Sequence, residues 1–328
     1  MFPDLVLKHV NVLICVHVII FLSGCQQQDA DSKSAEEMPV TITQKWVATT
    51  GHIADALQKI SSGADVDIKL LCGPGIDPHS YSASTKDVQA IANANAVFFN
   101  GFHLEARLHD LLEHEFGDKS WSMATAFPAE ARLDWVEDGE IDPAAPFDPH
   151  IWNHLPGWSQ CVEGLIKKTC EVDPENAELY QKNGQAYIKE ILMVHQQAAD
   201  KFSFIPKEQR VLVSAHDAFN YFSNVYDFES IAVLGIGNDA EADVKTIREV
   251  SEIVCNRKVP VIFLENITNP KVTSALQEAC IARNWQVKIA DQPLYSDALG
   301  VEPPTNTFLG AFKTNVDLIS KSLTPLTQ

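Results

Sequence analysis

Three histidines and one aspartate stand in separate loops along the chain. They are His79 in Gly75-Ile76-Asp77-Pro78-His79, His150 in Phe147-Asp148-Pro149-His150-Ile151-Trp152, His216 in Val213-Ser214-Ala215-His216-Asp217, and Asp297 in Leu294-Tyr295-Ser296-Asp297-Ala298. Each loop follows an apolar run that reads as a β-strand. Imidazole nitrogens and a carboxylate oxygen together suit a divalent transition metal. The tripeptide Asp-Pro-His occurs twice, at 77–79 and 148–150. The intervals from 79 to 150, 150 to 216 and 216 to 297 are too long for a compact zinc finger. They fit a site gathered from loops at the carboxyl ends of strands, in the crevice where open α/β sheets take ligands.

The elements that must position these loops alternate. Strand-like runs at 46–49, 66–71 and 97–99 are interleaved with helical patterns at 53–60 and 88–94. The same rhythm returns with strand-like runs at 210–214, 231–234, 259–264 and 285–289 and helical patterns at 244–254 and 270–282. Strands alternating with helices predict an α/β fold of mostly parallel sheets flanked by helices. Between the halves, Asp173-Pro174-Glu175 reads as a helix start with an N-cap, a first-turn proline and an acid. A helical stripe follows at Tyr180, Tyr187, Ile191, Val194, Ala198 and Phe202, ending near Ile205-Pro206. About 30 residues at 1.5 Å each span about 45 Å, suited to one rigid helix joining two lobes. The alternative is two shorter helices broken at Gly184. The expected organisation is a lobe at 40–172, the linking helix at 173–205 and a second lobe at 206–328.

With 328 residues and 45% hydrophobic content the chain is long enough for two cores. Its net charge of -19 argues against nucleic acid and against docking on anionic lipid. Residues 5–23 are apolar but interrupted by Lys8, His9, Asn11 and His17, and they end in Leu22-Ser23-Gly24-Cys25. Small residues just before a cysteine read as a bacterial lipoprotein signal, with 1–24 removed and lipid placed on Cys25. A membrane-spanning helix wants about 20 predominantly apolar residues, which this stretch does not supply. Residues 26–39 then form a polar tether with nothing to build a core from. The remaining cysteines, Cys72, Cys161, Cys170, Cys255 and Cys280, are odd in number and hold no Cys-x-x-Cys pair. Neither a zinc ribbon nor a dense disulfide framework is expected. Free thiols are the expected state, with Cys161 and Cys170 the one pairing considered.

Several strings resemble one known family. They are Asp77-Pro78-His79-Ser80-Tyr81, Asn100-Gly101-Phe102-His103-Leu104-Glu105, Asp148-Pro149-His150-Ile151-Trp152, Ser214-Ala215-His216-Asp217, Phe263-Leu264-Glu265 and Tyr295-Ser296-Asp297-Ala298. They are similar to the metal-binding lipoproteins that feed zinc or manganese ABC importers, the helix-linked class of solute-binding proteins. The resemblance covers essentially all of the chain after the signal. It implies metal ligands at His79, His150, His216 and Asp297, and two lobes joined by a rigid helix. It further implies a monomer outside the cytoplasm, anchored to a bacterial membrane through Cys25, with an ABC permease and its ATPase as partners. Glu265, Asp77 and Asp148 are expected to act behind the ligands by holding rings or loops.

Three imidazoles and one carboxylate favour Zn²⁺ as the bound cargo, with Mn²⁺ next and Fe²⁺ tolerable. In the family, manganese-dedicated members commonly carry Glu where this chain has His216. The His-rich loop of many zinc members is missing between His79 and His150, and His103, His109 and His114 are too sparse to replace it. His52 reads as a surface histidine in a loop, His103 as structural, and His154 as lying past His150 on a following helix and facing elsewhere. A secreted zinc hydrolase is a competing reading. However, His150-Ile151-Trp152-Asn153-His154 carries Ile where a zincin helix needs its catalytic Glu. A surface adhesin on the same scaffold is a third.

Overall fold

The computed structural model of the chain describes residues 43–137, 140–141, 143, 145–236 and 243–324. The expected signal segment 1–24, Cys25 and the tether 26–39 lie outside these residues. Strand β1 (Gln44–Thr50) runs parallel to β2 (Val66–Cys72) on one side and β3 (Ala96–Phe99) on the other, and β4 (Ser120–Ser122) extends the sheet beyond β3. The order is β2-β1-β3-β4. Side chains alternate faces along a strand. Trp46, Ala48, Ala96 and Phe98 accordingly enter one core, and Val47, Val97 and Phe99 enter another. Both faces are covered, which is why these strands read as unbroken apolar runs.

Helix α1 (Gly51–Ile60) carries β1 back to β2, and α2 (Thr85–Asn93) leads into β3. The start of α2 is a capping box in which Ser84 and Asp87 each satisfy the other's backbone amide. After β4 a small antiparallel ribbon, β5 (Val136–Glu137) with β6 (Glu140–Ile141), precedes helix α3 (Leu155–Val172).

A 3-10 turn, Pro174–Asn176, then opens α4 (Ala177–Phe202), 26 residues long. The predicted stripe is its buried face: Tyr180, Tyr187, Ile191, Val194, Ala198 and Phe202 are all covered. Asp173 departs from the expected cap, because its carboxylate takes the Asn176 side-chain amide and the Tyr180 hydroxyl rather than a backbone N–H. Gly184 does not break the helix. A Cβ there would stand 2.3 Å from Ile166 of α3, so the glycine lets the two helices approach.

Beyond α4, β7 (Val211–Ser214) pairs in parallel with β8 (Glu229–Ala232), with α5 (Asn220–Tyr226) between them. Helix α6 (Val244–Asn256), β9 (Val261–Ile262), α7 (Pro270–Ala282) and β10 (Lys288–Ile289) follow, and β9 pairs in parallel with β10. The Phe263 amide donates to Val213 O at 2.8 Å, which lays this second pair beside β7. The fold is therefore α/β with two lobes, each a parallel sheet flanked by helices, joined by α4. The strands of the second lobe are shorter than their apolar runs, and β8 starts two residues earlier than expected. Residues 263–265 and 290–294 leave the ladder and reconnect through a single bridge between Glu265 and Leu294.

The last helix, α8 (Phe308–Leu323), returns to pack on α4 and α1. One carboxylate ties these three helices: Asp55 Oδ2 accepts the Tyr187 hydroxyl at 3.0 Å and the Phe308 amide at 3.2 Å. The five cysteines of the described residues are free thiols, Cys161 and Cys170 included, and the Cys170 thiol faces Ala177 O. Among the described residues no helix is long and apolar enough to cross a membrane.

Candidate metal centre

His79 lies in the loop after β2. Asp77 Oδ1 accepts the His79 amide at 2.9 Å and its Oδ2 accepts the Ser80 hydroxyl at 3.1 Å, an aspartate turn closed over the fixed φ of Pro78. The second Asp-Pro-His repeats the turn, with Asp148 Oδ1 accepting the His150 amide at 2.9 Å. Here the ring also folds back, and His150 Nδ1 stands 2.8 Å from the same carboxylate oxygen.

His150 differs from the expectation in one respect. It follows the ribbon and the Asp134–Phe147 bridge rather than a strand of the sheet, so neighbours must hold its loop. Asn100, just after β3, donates to Pro149 O at 2.8 Å. From the other lobe, Asn220 donates to Asp148 Oδ2 at 3.1 Å and the Tyr221 hydroxyl to Asp148 O at 3.1 Å.

His216 follows β7 and is gripped by Glu265, which follows β9. Glu265 Oε1 accepts the amides of Ala215 and His216 at 2.8 and 2.9 Å, and Oε2 pairs with ring Nδ1. Asp297 is set by its neighbours: Trp152 Nε1 donates to Ser296 O at 3.0 Å, and the Asn315 amide group bonds both backbone groups of Tyr295.

These four side chains converge and are buried, with relative exposures of 5%, 0%, 0% and 1% for His79, His150, His216 and Asp297. His79 Nε2 is 3.3 Å from His150 Nε2 and 3.3 Å from Asp297 Oδ2. His216 Nε2 is 3.2 Å from Asp297 Oδ2, and His150 Nε2 is 3.6 Å from Asp297 Oδ1. Four ligands about 2.0–2.1 Å from one zinc ion at tetrahedral corners stand about 3.3 Å apart. The four separations above are of this size, and all four ligand atoms lie within 4.8 Å of one another.

The protonation pattern points the same way. Asp148 and Glu265 can only accept, so they hold the proton of His150 and His216 on Nδ1 and turn the Nε2 lone pairs inward. Lone pairs and a carboxylate then face each other in a site sealed from water, and Asp297 Oδ1 has no hydrogen-bond partner. Such a cluster of acceptors requires positive charge. Without metal the charge is protonic. Burial opposes protonation of His150, but Asp297 and Asp148 outweigh it and raise its pKa to about 9. His216 is likewise raised well above the ordinary value, because Glu265 and Asp297 overcome its burial. Burial alone would raise the Asp297 pKa, yet the facing His216 and His150 hold it well below the usual carboxylate range.

Among the described residues the remaining histidines stand outside this cluster. His52 is buried in the first turn of α1, not exposed in a loop, with its ring stacked 4.6 Å from Trp152 and edge-on to Phe308. Desolvation, only partly countered by Asp297, takes its pKa down to about 4. His154 caps α3, accepting the Gly157 amide on Nδ1 at 2.8 Å. His103 sits in a left-handed conformation (φ 65) against His109.

Two supporting residues escaped sequence reasoning. Asn100 holds the His150 loop. Glu105 accepts the Thr49 hydroxyl at 2.6 Å and the Asn100 and Gly101 amides at 2.8 and 3.2 Å, gripping the turn after β3 as Glu265 grips the turn after β7. The available signal was a glutamate closing the string 100–105, the counterpart of Phe263-Leu264-Glu265.

A family model described as "Zinc-uptake complex component A periplasmic" matches residues 47–322. The manganese-binding lipoprotein MntA of Bacillus subtilis is 31% identical over 306 residues, covering 92% of this chain and 95% of that protein. The zinc-binding protein TroA of Treponema pallidum is 32% identical over 316 residues, covering 95% of this chain and 98% of that protein. The solved structure of the periplasmic zinc-binding protein TroA from Treponema pallidum superposes with a TM-score of 0.80 at 34% identity, covering 85% of this chain and 99% of that one.

Proposed function

The chain belongs to the family of periplasmic zinc-uptake components, and from that membership we propose that it binds a divalent transition metal outside the cytoplasm and delivers it to an ABC permease for import. The observation that carries this reading is the convergence of three imidazole Nε2 atoms on the Asp297 carboxylate, buried and at tetrahedral spacing. In this reading His79, His150, His216 and Asp297 ligate the cargo. Asp148 and Glu265 orient two of the rings, and Asp77 shapes the loop that presents His79.

Zinc is the favoured cargo and manganese the next. Three nitrogens and one carboxylate form a borderline donor set, and affinity for such sites rises from Mn²⁺ toward Zn²⁺. The four-ligand spacing also suits a small tetrahedral ion. The similar proteins bear zinc-binding and manganese-binding names, so competition between the two metals decides the matter.

The site is built for carriage rather than reaction. A catalytic zinc keeps one position open for water. In this reading four protein ligands would close the coordination shell and leave no position for a reactive water. Residues 1–24 serve as the export signal, lipid on Cys25 anchors the chain, and 26–39 tether a two-lobed monomer with lobes at 40–172 and 206–328 around the helix 173–205. Release to the permease and its ATPase requires the lobes to part, because His79 and His150 come from one and His216 and Asp297 from the other.

Elemental analysis of the chain loaded separately with Zn²⁺ and Mn²⁺, followed by competition, tests the proposal. One tightly held ion per chain at this site, lost in His79→Ala, is expected. No tightly held metal from either loading would overturn it.

A further inference from the structure

A second set of metal-ligating side chains lies on the surface after β3. His109, Asp110 and His114 each offer a ligand atom, and these atoms all lie within 4.8 Å of one another. Sequence spacing hides this cluster. In an α-helix, residues five apart are separated by about 500° of rotation and stand about 140° apart on the cylinder. The segment Asp110–Glu115 is instead a π turn, closed by the Phe116 amide on Leu111 O at 2.9 Å. Wider turns of this kind bring residues five apart onto one side. The His109 and His114 rings accordingly stand 5.6 Å apart and nearly perpendicular, at 88°.

The turn is fixed from behind. Leu108 and Leu112 are buried in the core beneath the sheet, while Asp110 and His114 are exposed and His109 is half-buried. Two neighbours add to the cluster. Glu113 Oε1 is 3.6 Å from His109 Nδ1, and the His103 ring lies 5.2 Å from the His109 ring.

We propose that His109, Asp110 and His114 form a second site for a borderline divalent cation such as Zn²⁺, separate from the buried centre. Two imidazoles and one carboxylate leave coordination positions open to water, and exposure lets the ion exchange with solvent. The site is therefore weaker than the buried one and takes its ion without parting the lobes. It differs from a His-rich tract because its ligands are held by a specific backbone turn.

The test is a Zn²⁺ titration of the whole chain against a chromogenic chelator, with the native protein, His109→Ala/His114→Ala, the milder His114→Gln, and His79→Ala. Two equivalents are expected in the native chain. The double variant should lose the weaker equivalent and keep the tight one, which also reports that it is folded. His114→Gln should weaken the second equivalent at least tenfold. His79→Ala should lose the tight equivalent and keep the weak one, so failure at one site is not mistaken for failure at the other. A single equivalent in the native chain, or a second one that survives the double substitution, would overturn the proposal.

Discussion

Glu265 holds His216 at two points, its Oε1 accepting the backbone amide at 2.9 Å and its Oε2 paired with ring Nδ1. The same two-point grip joins Asp148 to His150, through one oxygen that meets both the amide and the ring. Each lobe thus contributes one imidazole whose tautomer and direction are set by a buried carboxylate.

Replacing Glu265 by Gln tests that grip. Glutamine can still accept the two amides but presents N–H to the ring, which drives the imidazole proton to Nε2 and blocks its lone pair. We expect zinc affinity to fall about 10- to 100-fold with little change in fold, measured by chelator competition and circular dichroism. Unchanged affinity would remove Glu265 from the site's machinery.

Metal uptake should expel protons. His150, with a pKa raised to about 9, and His216, raised well above the ordinary value, both carry a proton at pH 7 in the metal-free chain. A bound metal needs both as neutral ligands, so about two protons leave. Apparent affinity should therefore rise with pH, with the His150 share of that rise ending above about pH 9, where this ring is neutral beforehand. Calorimetry in buffers of different ionisation enthalpy counts the protons, and none released at pH 7 contradicts the protonated cluster.

Stability of the metal-free chain should follow the same groups. The His150 pKa is raised from 6.5 to about 9, so its contribution is complete below pH 6.5 and is lost as pH rises through about 9. Asp297 is depressed, so its contribution holds above its ordinary pKa and is lost only in stronger acid. The expected outcome is a melting temperature that declines between pH 6.5 and 9 without metal and stays level in the zinc-loaded chain. Parallel slopes in the two forms would contradict it.

His52 should act in the opposite direction. Its pKa falls from 6.5 to about 4 on burial, so the folded chain loses stability as pH drops across that window, on the order of 3 kcal/mol. His52→Phe keeps an aromatic ring against Trp152 and removes the titration. Urea unfolding at pH 6.5 and pH 4.5 should show a smaller acid loss in the variant, and an equal loss would rule His52 out.

Gly184→Ala should destabilise the chain although alanine favours helix by about 1 kcal/mol. The added carbon would meet Ile166 at 2.3 Å, and relieving such an overlap in a packed core costs about 1–3 kcal/mol. A raised melting temperature would show that α3 and α4 can separate without cost.

Much of this architecture was legible in the chain. Strands buried on both faces read as plain apolar runs, and the stripe from Tyr180 to Phe202 marked the long helix because one face is buried along its length. The four converging residues stood out through the repeated Asp-Pro-His and their places after apolar runs. What escaped depended on distant partners. His52 has no polar neighbour in sequence that marks it as buried; Trp152 and Phe308, far along the chain, cover it. Helix α8 buries a helical stripe of its own at Phe308, Phe312, Val316, Ile319 and Leu323, outside the elements expected from sequence. The cluster of His109 and His114 was hidden because five-residue spacing has meaning only in a π turn.

The carboxylate of Asp55 sets an order on assembly. It lies in the first helix of the fold, yet one of its two partners is the amide of Phe308, 253 residues later. Until that amide arrives, a charged oxygen beneath Tyr187 lacks half of its compensation, and closing so long a loop carries an entropic cost that local pairing does not recover. The last hydrogen bond of the first helix therefore waits on α8. A truncation before α8 leaves its defect in the first lobe rather than at the cut end.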